Sequence, residues 1–178
     1  MLSDKIQAAM NEQLNAETFS GYLYLSMAAY FESIGLRGSA HWMEMQAREE
    51  FFHASKFYNY LISRNGRVKL KALDAPPTVW TSPLAVFEDA YRHEQKITAL
   101  INDLVNLSKA ESDHASDIFL QWFVTEQIEE ESSVDTVVQK LKLAGETGPG
   151  LFMVDNELAT RTLSPLVAGV LTGAAPAA

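Results

Sequence analysis

Apolar residues recur at three- and four-residue intervals along four long stretches of this chain. No run of any length alternates with the two-residue period of a strand. The first stretch begins near Ser3 or Asp4, either a suitable N-cap, and runs to Ile34. Its inward stripe reads Ile6, Met10, Leu14, Glu17, Gly21, Tyr24, Ala28 and Phe31. Gly35 and Gly38 bracket a tight turn. The second stretch aligns Met43, Ala47, Glu50, Ala54, Phe57 and Leu61 and stops at Asn65-Gly66, a pair that tolerates the left-handed conformation. The third, from about Pro83 to Ala110, turns Phe87, Tyr91, Glu94, Thr98 and Ile101 inward. The fourth, from about His114 to Ala144, does so with Leu120, Phe123, Gln127, Glu130, Val134 and Leu141. Gly145 to Gly150 breaks it, and Leu151 to Thr160 reads as a short fifth helix.

The connection between the second and third stretches settles the topology. Residues 66–82 carry Pro76-Pro77 and are not helical, while Pro83 suits the first turn of the next helix. Helices of about 25–30 residues are roughly 40 Å long, and 17 extended residues reach at most roughly 60 Å. The segment can therefore return along the whole bundle and make helices two and three parallel. This predicts an all-α four-helix bundle with one long crossover and a short fifth helix.

Polar residues stand where aliphatic ones would serve: Glu17, Glu50, Glu94 and the pair Gln127 and Glu130. A shift of 77 positions maps Glu17 onto Glu94, Glu50 onto Gln127 and His53 onto Glu130, so the two helical hairpins repeat one polar pattern. At about 1.5 Å per residue these groups fall within roughly one turn of a common level. Glu50 and His53, at i and i+3, share a helix face. Buried carboxylates that meet cannot all stay ionised without counter-charge. From Ala110 to Gln139 there are eight acids and no Lys or Arg, so the fourth helix supplies none. A pair of metal cations would.

Composition narrows the metal. The 178 residues contain no Cys, which excludes thiolate zinc sites, iron–sulfur clusters, disulfides and cysteine nucleophiles. Carboxylate with imidazole suits iron or manganese, and zinc competes. His41 and His93 have no partner in the repeat and read as surface or packing residues. Tyr24, two turns from Glu17, is either a core tyrosine or a hydrogen-bond and redox partner of the polar cluster. A net charge of −9 argues against nucleic acid or an anionic membrane as partner. The N-terminus has no apolar signal-peptide core, and the proline- and glycine-broken stretch 163–178 cannot span a bilayer as a helix. The expectation is a cytoplasmic protein with one domain over residues 1–162 and a flexible Ala/Gly-rich tail over 163–178.

Four motifs are now on view: N-E-Q-L-N-A-E at 11–17, Q-A-R-E-E-F-F-H at 46–53, Y-R-H-E-Q at 91–95 and F-L-Q-W-F-V-T-E-Q-I-E-E-E at 119–131. With them the chain resembles a prokaryotic non-haem ferritin, one of the ferritin-like di-iron carboxylate proteins, from Ser3 to about Thr160. The resemblance implies a ferroxidase that oxidises Fe(II) with dioxygen or hydrogen peroxide and stores ferric mineral in a hollow 24-subunit homo-oligomer. It implies that Glu17, Glu50 and His53 hold the first iron, with Glu50 bridging. Glu94 and Glu130 would hold the second, with Gln127 beside it. Glu49, Glu126 and Glu129 match an additional iron site, and Tyr24 and Trp122 match a nearby aromatic pair.

Departures from relatives exclude some cofactors and kin. Gln127 and Glu130 stand where bacterioferritins carry a second E-x-x-H, and Phe51-Phe52 stand where their haem-binding methionine falls, so no haem is expected. Rubrerythrin-type proteins use a cysteine-ligated iron that this chain cannot make. Two alternatives are a di-iron oxidase or peroxidase without storage and a purely structural helical oligomer. Phe19, Tyr22, Leu23 and Tyr30 make the first helix apolar on a second face, which predicts a dimer contact. Asp113, His114 and Asp117 at the start of the fourth helix are either helix caps or, by the resemblance, the lining of a three-fold pore.

Overall fold

A computed structural model describes residues 2–145 and 147–172. Its elements are α1 (Asp4–Ser33), α2 (Arg37–Ser63), α3 (Pro83–Ala110), α4 (His114–Ala144), α5 (Pro149–Leu158) and α6 (Pro165–Thr172). No strand occurs among the described residues. No helix among them is long and apolar enough to cross a membrane.

Local chemistry sets the ends. The Ser3 hydroxyl accepts from the Ile6 N–H, Ser82 caps α3 ahead of Pro83, and Asp113 caps α4 through the Ser116 N–H. The α1–α2 turn places Gly35 at φ +81°, and Asn65 after α2 sits at φ +57°. Gly38 does not bracket that turn. It lies in the first turn of α2, where a Cβ would fall 1.7 Å from the Asp155 carbonyl oxygen of α5. Helix α5 also starts two residues earlier than the spacing predicts, because Pro149 suits its first position and Gly150 packs against the Ala144 backbone.

The crossover is a strap along α1. Gln7, Asn11 and Asn15, one turn apart, bond the backbone of Arg67, Lys69 and Lys71 in sequence: Arg67 N–H to Gln7 Oε1 at 2.7 Å, Lys69 N–H to Asn11 Oδ1 at 2.5 Å and Lys71 N–H to Asn15 Oδ1 at 2.8 Å. Further on, Ser26 bonds the Pro77 carbonyl and Tyr30 the Trp80 carbonyl. Side-chain amides thus satisfy peptide groups that have no sheet or helix partner. Because the strap climbs in the direction of α1, α3 starts beside the end of α1 and runs parallel to α2.

Two apolar clusters fill the bundle. One gathers Tyr24, Phe31, Met43, Phe87, Val134 and Leu141; the other gathers Leu14, Phe57, Leu61, Ile97, Ile101 and Phe123. Each fully buried aliphatic or aromatic side chain contributes about 1.5–3 kcal/mol. Between the clusters lies the polar layer. The apolar residues on both sides are what keep water from it.

Two expectations need revision. Leu23 is buried, and Phe19 and Tyr30 pack against the core, so most of the supposed second face of α1 is covered by the chain itself. Tyr22 remains exposed, with Leu25 one turn on and Phe51 from α2 lying over Gly21. Within the stretch read as a tail, Pro165–Thr172 forms a helix that the spacing did not predict, α6, which packs on α2 and buries Val167. Residues 173–178 lie outside the described part.

Candidate metal centre

Helices α1, α2, α3 and α4 each deliver their inward polar residues to the layer between the apolar clusters. Glu17, Glu50, His53, Glu94, Gln127 and Glu130 are all buried there. The ligand atoms of Glu17, Glu50 and His53 lie within 4.8 Å of one another, and so do those of His53, Glu126 and Glu130. His53 belongs to both groups, its Nδ1 3.4 Å from Glu50 Oε2 and its Nε2 3.9 Å from Glu126 Oε1. The rings of Trp122 and Phe123 wall the imidazole.

Glu94 falls outside both groups. Its carboxylate accepts from the Tyr24 hydroxyl and from Gln127 Nε2 at 3.2 Å. Tyr24 is therefore fully buried and hydrogen-bonded to Glu94. Gln127 is anchored in turn by Thr98 Oγ1 at 3.3 Å, and the Thr98 hydroxyl donates to Glu131 at 2.5 Å.

The electrostatics follow from burial. Desolvation, joined by repulsion from Glu50, raises the Glu17 carboxyl to about 8. Glu130 rises to about 8 through desolvation and the Glu94 charge, and Glu94 to about 7 through desolvation. Glu50 is pushed up by desolvation and by Glu94 and Glu130. Tyr24 moves well above 10 for the same kind of reason. The layer thus holds protons that solvent-exposed acids would have lost.

Among the described residues, four buried side-chain atoms lack a hydrogen-bond partner: Glu17 Oε2, Gln46 Oε1, His53 Nδ1 and His53 Nε2. Buried polar atoms are rarely left so. A carboxyl oxygen of Glu17 and the imidazole nitrogens of His53, grouped without a thiolate, are donors suited to a divalent or trivalent cation.

Sequence spacing missed two residues of this layer. Gln13 Nε2 donates to Glu17 Oε1 at 2.8 Å, and Gln46 donates to Glu50 at 3.3 Å and also to Glu130. Each amide lies one turn before its glutamate, so the 33-residue offset that links Glu17 with Glu50 also links Gln13 with Gln46. That offset was the signal.

Glu49, Glu126 and Glu129 do not form one ligand cluster. All three line a cavity of about 350 Å³ with Trp122 and Glu130, but Glu126 groups with His53 while Glu49 Oε2 pairs with Arg161 Nη2 at 2.5 Å. His41 and His93 are packing residues: His41 Nε2 meets the Arg161 carbonyl at 2.9 Å, and His93 Nε2 meets Ser20 Oγ at 2.7 Å. Burial lowers His93 to about 4. Asp113 is a cap, held also by Arg64 at 3.2 Å; Asp117 accepts from Gln121 at 2.8 Å, and His114 is exposed.

The chain is similar to known proteins over most of its length. The family model described as Ferritin-like domain matches residues 7–144. Bacterial non-heme ferritin from Bacteroides fragilis (strain 638R) is 45% identical over 161 residues, covering 90% of this chain and 100% of that one. Bacterial non-heme ferritin from Staphylococcus aureus (strain MRSA252) is 36% identical over 162 residues, covering 91% of this chain and 98% of that one. A solved open-pore ferritin from the hyperthermophilic archaeon Archaeoglobus fulgidus superposes with a TM-score of 0.90 at 49% identity, over 91% of this chain and 99% of that one.

Proposed function

The chain belongs to the ferritin family, and from that premise we propose that it is a ferroxidase that also stores the ferric product. In this reading two Fe(II) ions are the substrate. Glu17, Glu50 and His53 receive one, Glu94 and Glu130 the other, and Glu50 lies between them. The observation that carries the reading is the set of buried donor atoms without partners at Glu17 and His53, inside a layer closed by apolar side chains.

Each Fe(II) gives one electron, so with uptake of two protons two ions reduce either one dioxygen to hydrogen peroxide or one hydrogen peroxide to two waters. The chain's own groups supply the conditions. Carboxylates are hard oxygen donors and favour the more highly charged Fe(III). Cation entry displaces protons held by Glu17, Glu94 and Glu130. The neutral amide of Gln127, in place of a further anion, leaves the second position less negative and eases release of product toward storage. Storage would take place inside a 24-subunit cytoplasmic shell, a proposal supported by the ferritin names of the relatives and structural neighbours.

Anaerobic titration with Fe(II) followed by oxygen tests the reading. A saturable, rapid absorbance change at about two irons per subunit supports a ferroxidase. A purely structural oligomer gives none. Retention of far more iron than the binding sites can hold separates storage from simple oxidation.

A further inference from the structure

Arg161 is planted in the acidic cavity by an anchored segment. Asp155 of α5 accepts from the Gly38 and Ser39 N–H groups at 3.1 and 2.7 Å and from the Ser39 hydroxyl at 2.8 Å, which ties α5 to the start of α2. Three residues past α5, the Arg161 carbonyl meets His41, and its guanidinium lies 4.1 Å from the centre of the Trp42 ring. From there Nη2 reaches Glu49 Oε2 at 2.5 Å, while the other Glu49 oxygen faces the Ser164 N–H at 3.5 Å. Both partners are largely buried, with side-chain exposures of 16% and 11%. Glu126, Glu129 and Glu130 line the same cavity.

We propose that Arg161 is a built-in counter-ion that competes with a metal cation for Glu49, so that the third metal position opens only when the guanidinium leaves. That third position is the additional iron site that the resemblance implies at Glu49, Glu126 and Glu129, and the proposal rests on it together with the ferroxidase reading. The reasoning is one of charge and geometry. A cation at Glu49 takes either the oxygen that Arg161 holds or the one that faces the Ser164 N–H at 3.5 Å, and in either place two positive charges on one carboxylate repel in a half-enclosed cavity. Arg161 is a positioning residue. It touches none of Glu17, Glu50 or His53, so the first metal position is independent of it, while its charge reaches Glu130 of the second.

Calorimetric titration of the assembled protein with Zn²⁺ tests this, with metal positions read by anomalous scattering. Wild type is expected to bind two ions tightly and a third weakly. Arg161→Gln should tighten the third by about tenfold or more and leave the Glu17, Glu50 and His53 position unchanged, whereas Arg161→Lys, which keeps the charge, should leave it weak. Adding Glu49→Gln to Arg161→Gln should remove the gain. Unchanged third-site affinity in Arg161→Gln overturns the proposal. In wild-type crystals at saturating Zn²⁺, the guanidinium should have left Glu49 wherever a Zn²⁺ ion is bound to it. Zn²⁺ and Arg161 together on Glu49 would overturn the proposal even if the variants failed to fold. Failure of wild type to bind the first two ions would count against the ferroxidase reading instead, and is read separately in the same titration.

Discussion

Tyr24 of α1 donates its hydroxyl hydrogen bond to Glu94 of α3, joining the two helical hairpins inside the polar layer across 70 residues of sequence. Burial and the surrounding carboxylates hold the phenol well above its ordinary value of 10, so it stays a neutral donor. That donation favours the ionised form of Glu94. Tyr24→Phe should therefore raise Glu94 further, so that oxidation slows several-fold near neutral pH and recovers at higher pH. The pH–rate profile is the measurement. Superimposable profiles for variant and wild type would show that Tyr24 only fills space.

Glu50→Ala should nearly abolish rapid oxidation, because it removes the carboxylate proposed to lie between the two iron positions. Assembly should persist, since the deletion also relieves repulsion with Glu94 and Glu130. Stopped-flow absorbance and sedimentation measure the two effects. Wild-type oxidation by this variant would refute the ligand assignment.

Glu17 and Glu130 titrate near about 8 and Glu94 near about 7 in the fold, against an ordinary value of 4.5. The folded metal-free chain thus binds more protons than the unfolded one between these limits. This stabilising contribution is complete below about pH 4.5 and is lost as pH rises through 7 and 8. Thermal stability of the metal-free protein should fall from pH 6 to pH 8.5, and metal loading should flatten the trend. Zn²⁺ binding at pH 6 should release roughly two to three protons per subunit, and far fewer at pH 9. Calorimetry in buffers of different ionisation enthalpy measures the release; equal release at both pH values would contradict the shifts.

Asp155→Ala removes the side chain that satisfies the first N–H groups of α2. A lost cap costs about 0.5–2 kcal/mol. The variant should melt several degrees lower and be cut more readily by protease between α4 and α5, while metal-binding stoichiometry at the first two positions holds.

Asp117→Asn tests the pore reading of the α4 start. If copies of Asp117 ring an entry axis, the variant should slow iron uptake several-fold at low salt and less at high salt. Anaerobic Fe(II) affinity at the Glu50 centre should not change, since the sites share no ligand. Uptake that is insensitive at every ionic strength would leave Asp117 as a first-turn acid bonded to Gln121.

By itself the sequence determined the helices, the crossover and the polar layer. Helical periodicity is local, and every inward acid or amide it marked, from Glu17 to Glu130, is buried. The 77-residue translation carried the pairing of hairpins, and a strap of 17 residues admitted one parallel arrangement. Only the tertiary structure decided which oxygen faces which donor. Glu94 turns to Tyr24 and Gln127, Glu126 joins His53, and Glu49 is taken by Arg161, a residue 112 positions away. That last pairing depends on α5 docking where Gly38 has no side chain and Asp155 finds free N–H groups. A single arginine beyond the bundle leaves no periodic trace. Its partner is set by packing between distant segments, which no spacing rule encodes.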